Sequence, residues 1–300
     1  MLDDLDDGMK QGVHLVDFSQ IMISSVMAAF DEGEPITVQD IRKVFLNVLK
    51  HNVIKRKKEY PIVVIAFDDK RGGYWREKIH PTYKATRKNK QKKTKWDWDT
   101  IHEAMGTIRD ELKEYFPYIT ISVRGVEADD IIATLTKTLS SNHNIFITGA
   151  DGDFAQLQVF PNVRQWNPIH EKWVKPKTGD PRTDLLTKLI KGDTKDSIPN
   201  IKCPIDWYDV KEEGKRAPSI TKKFLKPIFE ADNPQELLEG DELDRFQQNE
   251  KLISFEFIPE HIQSEIIELY ENTKPAPKSK LHKYFVKNRL TDYMAEAGSF

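Results

Sequence analysis

Short, wholly apolar runs alternate along the first 180 residues with longer stretches whose apolar residues recur at helical spacing. VHLVDFS (Val13–Ser19), PIVVIAFDD (Pro61–Asp69), YITISV (Tyr118–Val123) and NIFITGADGDF (Asn144–Phe154) read as buried strands running into turns, and NVRQWN as a fifth. Between them lie predicted helices. QIMISSVMAAF follows Ser19 as its expected cap, and Thr37 to about Lys58 carries Ile41, Val44, Phe45, Val48 and Leu49 on one stripe. Trp96–Tyr115 is amphipathic, with Trp96 and Trp98 expected to anchor it, and GVEADDIIATLTKTL opens another helix. Strand–helix alternation predicts an α/β fold with a mostly parallel central sheet flanked by helices. After about Asp180 the pattern turns helical, over Thr183–Ile190, Ala217–Phe229, Glu242–Phe255, Glu260–Tyr270 and Lys280–Val286. An α/β core over residues 1–180 and a helical region over 181–300 follow as the expected domains.

Composition narrows the class. No apolar run reaches the roughly 20 residues of a spanning helix, and the opening MLDDLDDGMKQG is acidic without an apolar signal core, so neither membrane insertion nor secretion is expected. A single cysteine, Cys203, excludes an internal disulfide framework and a cysteine-based zinc cluster. Net charge is only −2, but it is unevenly placed: Lys70 to Lys95 carries +10, leaving −12 elsewhere. That asymmetry points to a polyanion on one face and bound cations on another.

The acidic residues supply the candidate chemistry. Asp17 and Asp68 close predicted strands, and Asp151 and Asp153 flank a glycine in the turn after a third. Glu127, Asp129 and Asp130 crowd the first turn of a helix, and Asp193 and Asp196 sit in the loop GDTKDSIPN. One acid at a helix start is ordinary capping; three are not. In a parallel sheet the carboxyl ends of the strands form the ligand edge, and carboxylates gathered there need cations. A two-metal site takes several protein oxygens, with the ions roughly 3.5–4 Å apart, one activating the attacking water and the other stabilising the leaving oxygen. All-oxygen ligands suit two Mg²⁺, with Mn²⁺ as a substitute. A non-catalytic nucleic-acid scaffold is disfavoured by the full carboxylate set, and a metal-dependent phosphatase gives the basic segment no purpose.

LVDFS, AFDD followed by GYWREKIHPTYKATRKNK, GVEADDIIATL, GADGDFAQL and KGDTKDSIPN, in this order, resemble the flap endonuclease and 5′-nuclease family, most of all its phage ribonuclease H members. The resemblance implies a PIN-like nuclease core, a basic helical arch at about residues 70–98, and a helix-turn-helix duplex clamp in the C-terminal region. It implies a structure-specific 5′ to 3′ exonuclease and flap endonuclease that hydrolyses RNA–DNA and DNA–DNA duplexes and removes RNA primers from the lagging strand. Carried over residue by residue, Asp17, Asp68, Glu127, Asp129, Asp130, Asp151, Asp153, Asp193 and Asp196 become metal ligands. Arg76, Tyr83 and Lys84 become groups facing the scissile phosphate and a frayed base. Lys70, Arg71, Arg87, Lys88, Lys90, Lys92 and Lys93 become nucleic-acid contacts, while Asp69 has no family role beyond capping or charge balance. Implied partners are a single-strand DNA-binding protein and a sliding clamp, for a monomer in the cytoplasm of a phage-infected host. A K⁺ ion in the clamp loop is also implied. The pattern departs at Asn200, where a glycine is expected and IKCPIDWYDVKEEGKRAPS intervenes, leaving the separation of the two clamp helices open.

Overall fold

The computed structural model describes residues 11–210 and 214–300, apart from the side chains of Lys88 and Asn89. Residues 1–10 of the acidic leading stretch, and the expected phosphate contact of Lys88, therefore lie outside the described part. The elements run β1 (Gly12–Asp17), α1 (Phe18–Ala29), α2 (Val38–Asn52), β2 (Ile62–Ala66), α3 (Ala85–Gln91), α4 (Trp98–Tyr115), β3 (Ile119–Ile121), α5 (Ala128–Leu139), β4 (Asn144–Thr148), β5 (Val163–Asn167) and β6 (Lys172–Val174). The helical part adds α6 (Pro181–Lys191), α7 (Trp207–Val210), α8 (Lys222–Glu230), α9 (Gly240–Ile253), α10 (Glu260–Asn272) and α11 (Ser279–Lys287).

The strands form one sheet in the order β3-β2-β1-β4-β5-β6. All pairings are parallel except β5 with β6. The chain winds outward from β1 to β3, then starts again at β4 on the other side of β1. This reversal leaves a crevice beyond the carboxyl ends of β1 and β4, the place where such sheets bind ligands. The antiparallel β6 was not expected; its three residues KWV are too short and too exposed to show a strand period.

Packing on the two faces explains the helix stripes. Val13, Leu15, Val64, Ile145 and Ile147 meet Ile131, Ile132 and Leu135 of α5 and Ile262 and Ile266 of α10. On the opposite face Val16, Val63 and Ile65 meet Phe18 of α1, Phe45 and Leu49 of α2, Leu112 of α4, and Tyr284 and Phe285 of α11. Each fully buried side chain of this kind contributes on the order of 1.5–3 kcal/mol. Trp96 and Trp98 pack partly buried against this second core, in the anchoring role expected of them. The last two helices thus lie one on each face of the sheet. A third cluster joins Leu186, Leu189 and Ile190 of α6 to Leu225 and Ile228 of α8 and Phe246 of α9.

One cap differs from expectation. Asp17, not Ser19, caps α1, its Oδ1 accepting the Gln20 N–H at 3.3 Å. The helix therefore starts at Phe18, and the Ser19 hydroxyl is freed to accept the backbone N–H of Asp68 at 3.0 Å. That bond ties the ends of β1 and β2 together.

Candidate active site

Three strand ends deliver the first carboxylates. Asp17 ends β1 and is 6% exposed. Asp68 follows β2, and its Oδ1 accepts the Ala128 N–H at the start of α5 at 2.8 Å. Asp151 follows β4, and its side chain accepts the Asp153 N–H at 2.9 Å, which sets the glycine turn between them. Gly149 makes the approach feasible: a Cβ there would stand 2.8 Å from the Phe154 ring and 3.2 Å from Cβ of Asp17. Two side-chain amides, one half-buried and one buried, clamp the same turn. Gln20 Oε1 accepts the Ala150 N–H at 2.7 Å, and Gln165 Nε2 donates to the carbonyls of Gly149 and Asp151 at 3.0 and 2.6 Å.

The start of α5 adds Glu127, Asp129 and Asp130, each with a carboxylate oxygen within 4.8 Å of the others. Their partners separate their roles. Asp130 is fully buried and accepts from Trp75 Nε1 at 2.8 Å and from both terminal nitrogens of Arg76 at 2.9 and 2.7 Å. Glu127 accepts from Arg76 at 2.8 Å, from the Tyr83 hydroxyl at 3.0 Å, and from Lys84. Asp129 Oδ1 is buried with no hydrogen-bond partner.

This arrangement corrects two expectations. Arg76 does not face a phosphate: it is 2% exposed, and its remaining donor, Nε, goes to the carbonyl of Leu252 at 2.8 Å. A planar fork with both terminal nitrogens spent on a buried carboxylate pair and Nε on a backbone carbonyl is a support beneath the site. Tyr83 likewise offers no ring face to a base, being packed among Leu186, Ile198 and Leu252. Lys84, Arg87 and Tyr74, by contrast, line a cavity of about 710 Å³ together with Asp68, Arg71 and Arg109.

Asp193 and Asp196 come from the loop after α6. Gly192, at φ +69°, ends that helix; a Cβ there would meet the Ile198 carbonyl oxygen at 2.3 Å. Lys188 of α6 bridges the two groups of acids, bonding Asp153 and reaching Asp193 at 2.7 Å. Arg87 pairs with Asp196. The base of the arch is moored to this loop through its backbone: Lys84 N–H donates to the Asp196 carbonyl at 2.9 Å, and His80 Nε2 lies 2.8 Å from the Ser197 carbonyl. Lys84 and Ser197 both sit in the left-handed region, at φ 58° and 61°. Non-glycine residues adopt it at a cost, and such strain gathers at working sites. Asn200 fastens the interruption that follows, donating to the Pro218 carbonyl at 3.0 Å, and α6 still meets α8. Asp69, itself buried, is spent on the exposed Arg71. Lys90, Lys92 and Lys93 are exposed, and among the described residues none has a carboxylate partner.

The electrostatics are those of a site short of positive charge. Loss of hydration, then the charges of Asp68 and Asp151, push Asp17 up to about 8. Burial lifts Asp153 to about 6 against the pull of Lys188. Asp129 is driven far above the usual range by burial and by Glu127 and Asp130. Glu127 goes the other way: Lys84 and Arg76 overcome its burial and bring it down to about 2. Fully ionised, the nine carboxylates would outnumber the four inner cations (Arg76, Lys84, Arg87 and Lys188) by five. The unpartnered oxygen of Asp129 and this shortfall fit a site for hard divalent ions. Asp17, Asp68, Asp129, Asp151 and Asp153 keep lone pairs for them, whereas Asp130 is saturated by protein donors.

Lys188, Tyr74, Gln20 and Gln165 were not anticipated from the sequence. Lys188 had a weak signal, a basic residue one helical turn before Gly192; the two glutamines had none, because their partners are backbone atoms distant in the chain.

An acidic crevice at the reversal point of a doubly wound sheet, bordered by Lys84 and Arg87, suits a nuclease, and comparison with known proteins places the chain in that class. Residues 13–180 match the family model of the 5′-3′ exonuclease N-terminal resolvase-like domain, and residues 179–300 that of the T4 RNase H C-terminal region. The chain belongs to the 5′-3′ exonuclease family, in the branch with T4 RNase H. It is 39% identical to ribonuclease H of Enterobacteria phage T4 over 96% of this chain and 95% of that one. It is 28% identical to flap endonuclease Xni of Shewanella piezotolerans over 42% of this chain and 49% of that protein. The fold is shared with a bacteriophage T5 flap endonuclease variant solved as a pseudo-enzyme–product complex with DNA and metal ions, at a TM-score of 0.59 and 15% identity, covering 87% of this chain and 100% of that one.

Proposed function

We propose that this chain cuts phosphodiesters at 5′ ends and flaps of DNA–DNA and RNA–DNA duplexes by two-metal hydrolysis, and that its task is removal of RNA primers from the lagging strand. The observation that carries the reading is the carboxylate cluster short of cations, opening beside a cavity lined by Lys84, Arg87 and Arg71. When bound, two divalent ions supply activation of the attacking water and stabilisation of the leaving oxygen. Asp17, Asp68, Glu127, Asp129 and Asp151 would hold one ion, and Asp153 with Asp193 and Asp196 the other. Oxygen-only ligands favour Mg²⁺, with Mn²⁺ substituting.

The protein's own groups do the rest. Lys84 stays protonated, its carboxylate neighbours outweighing its burial, so it acts as a fixed charge on the scissile phosphate and not as a base. Arg87 adds a second donor, and Tyr74 presents a ring to an unpaired base along the cavity wall. Arg76 and Tyr83 act by fixing Glu127. Exposed Lys222 and Lys223 at the first turn of α8, with the Asp193–Pro199 loop, grip the duplex beyond the cut. A K⁺ ion in that loop is supported by resemblance alone. Resemblance alone supports a single-strand DNA-binding protein and a sliding clamp as partners, a monomer as working unit and the infected host's cytoplasm as setting. Among the described residues no helix is long and apolar enough to cross a membrane.

The test is digestion of an end-labelled flapped duplex with and without Mg²⁺, reading product lengths, beside Asp151→Asn. Metal-dependent cuts near the junction, lost in the variant while duplex binding persists, are expected. Metal-independent cleavage, or full activity in the variant, would refute the proposal.

A further inference from the structure

A second basic-aromatic cleft lies away from the carboxylates. It is a cavity of about 340 Å³ between the end of α2 and the β4–β5 side of the sheet, lined by His51, Asn52, Lys55, Arg56, Phe146 and Trp166 among others. Arg56 is its centre. Its guanidinium carbon stands 5.3 Å from the centroid of the Phe146 ring, 5.8 Å from that of Trp166 and 5.7 Å from that of Trp173. The rings form one assembly. Tyr60 stacks on Phe146 at 5.0 Å, and Trp173 meets Trp166 edge-on at 5.4 Å.

Two features set this apart from a plain cover for a sheet edge. First, the Arg56 side chain makes no hydrogen bond and no ion pair among the described residues, so a planar cation is held in place by rings with all its donors unspent. Second, the surroundings stay cationic. Lys55 is exposed, and Arg164, opposite Phe146 in the sheet register and on the same face as Trp166, has no carboxylate partner either. Glu171 is the one acid of the lining. Trp173 is 44% exposed, so aromatic surface remains for a ligand.

Rings and a stacked guanidinium bind the flat faces of unpaired bases, and unspent N–H donors with neighbouring lysine bind phosphate. The volume is near the lower end of small-ligand pockets, room for a single nucleotide unit. We infer that this cleft holds one nucleotide of a single-stranded nucleic acid, its base against the Trp166–Trp173–Arg56 assembly and its phosphate on Arg56 and Lys55. The site shares no lining residue with the carboxylate cluster, and it stands whether or not the chain cleaves by the route proposed above.

The experiment uses the full chain in EDTA, so that cleavage plays no part. Binding of an eight-residue oligo(dT) carrying 5-iodouracil is followed by anisotropy, and photo-crosslinks are mapped by mass spectrometry. Arg56→Ala is expected to weaken binding roughly tenfold and to remove crosslinks at Trp166 and Trp173. Arg56→Lys, which keeps the charge but not the flat stack, should lose most of the crosslink as well, and it serves where the alanine variant folds poorly. Metal-dependent flap cleavage should be unchanged in both. Unchanged binding, with crosslinks confined to Tyr74 and its neighbours, would overturn the inference and leave the cluster as a sheet-edge cover. Displacement of the crosslink by dTMP alone at equal nucleotide concentration would assign the cleft to free nucleotide and overturn the strand assignment.

Discussion

Replacing Arg76 by Met separates a supporting role from a catalytic one. The guanidinium is 2% exposed and makes four hydrogen bonds of 2.7–2.9 Å, three of them to Glu127 and Asp130. Removing it strands Asp130 without a cation and leaves Glu127 with Lys84 and Tyr83. Breaking a buried ion pair from one side costs about 3–5 kcal/mol, which for a chain of 300 residues is a drop of roughly 5–8 °C in Tm. Adding Asp130→Leu should recover part of that loss, offset by about 1–3 kcal/mol for each of the Trp75 and Glu127 N–H groups left without its acceptor. Urea and thermal denaturation of the wild type, the two single variants and the double variant complete the cycle. Cleavage rates should track the position of Glu127, so the double variant regains part of its stability without full activity. A loss of less than about 1 kcal/mol in Arg76→Met, together with a collapse of cleavage, would refute this reasoning and return Arg76 to the substrate.

Three further outcomes can be checked on the same material. Lys188→Ala removes the cation shared by Asp153 and Asp193, so the metal-free protein should be destabilised and should gain more Tm from added Mg²⁺ than the wild type; equal gains would deny Lys188 its counter-ion role. Gln165→Leu frees the Asp151 turn from one clamp, and a 10–100-fold loss of cleavage with a higher Mg²⁺ requirement is expected. An unchanged Mg²⁺ titration would show the clamp to be idle. The third concerns pH. Asp17 at about 8 and Asp153 at about 6 stand above an ordinary value of 3.8, so the folded metal-free chain keeps protons that the unfolded chain has released. Stability in EDTA should therefore fall as pH rises from about 4 to about 8, and Mg²⁺ should raise Tm more at pH 8 than at pH 5.5. A flat profile in EDTA would contradict the crowding of these acids.

The fold was largely legible because its signals are local. Val13–Asp17 and Ile62–Ala66 are apolar enough to be nothing but buried strands, and the helical stripe of α2 begins at a Thr37–Asp40 capping box. The carboxylates were legible for the same reason: each stands at an element end that the apolar pattern already marked. What could not be read is the pairing. Arg76 and Lys84 look alike in a basic segment, yet one lies under α5 and the other at the mouth of the cavity. The difference is made by Asp130 and by the Leu252 carbonyl, 176 residues away in the chain. Lys188 escaped for a similar reason, since α6 brings it to Asp153 only through tertiary packing.

The mooring of the arch to the clamp loop has a consequence for how the molecule works. Because Lys84 and Thr86 hang on carbonyls of residues 194–196, the segment proposed to meet the scissile phosphate is tied by hydrogen bonds to the loop proposed to grip the duplex. On the proposed reading, a duplex that seats badly against the loop would also shift Lys84, so selection of the right junction would work through the backbone and not through base sequence.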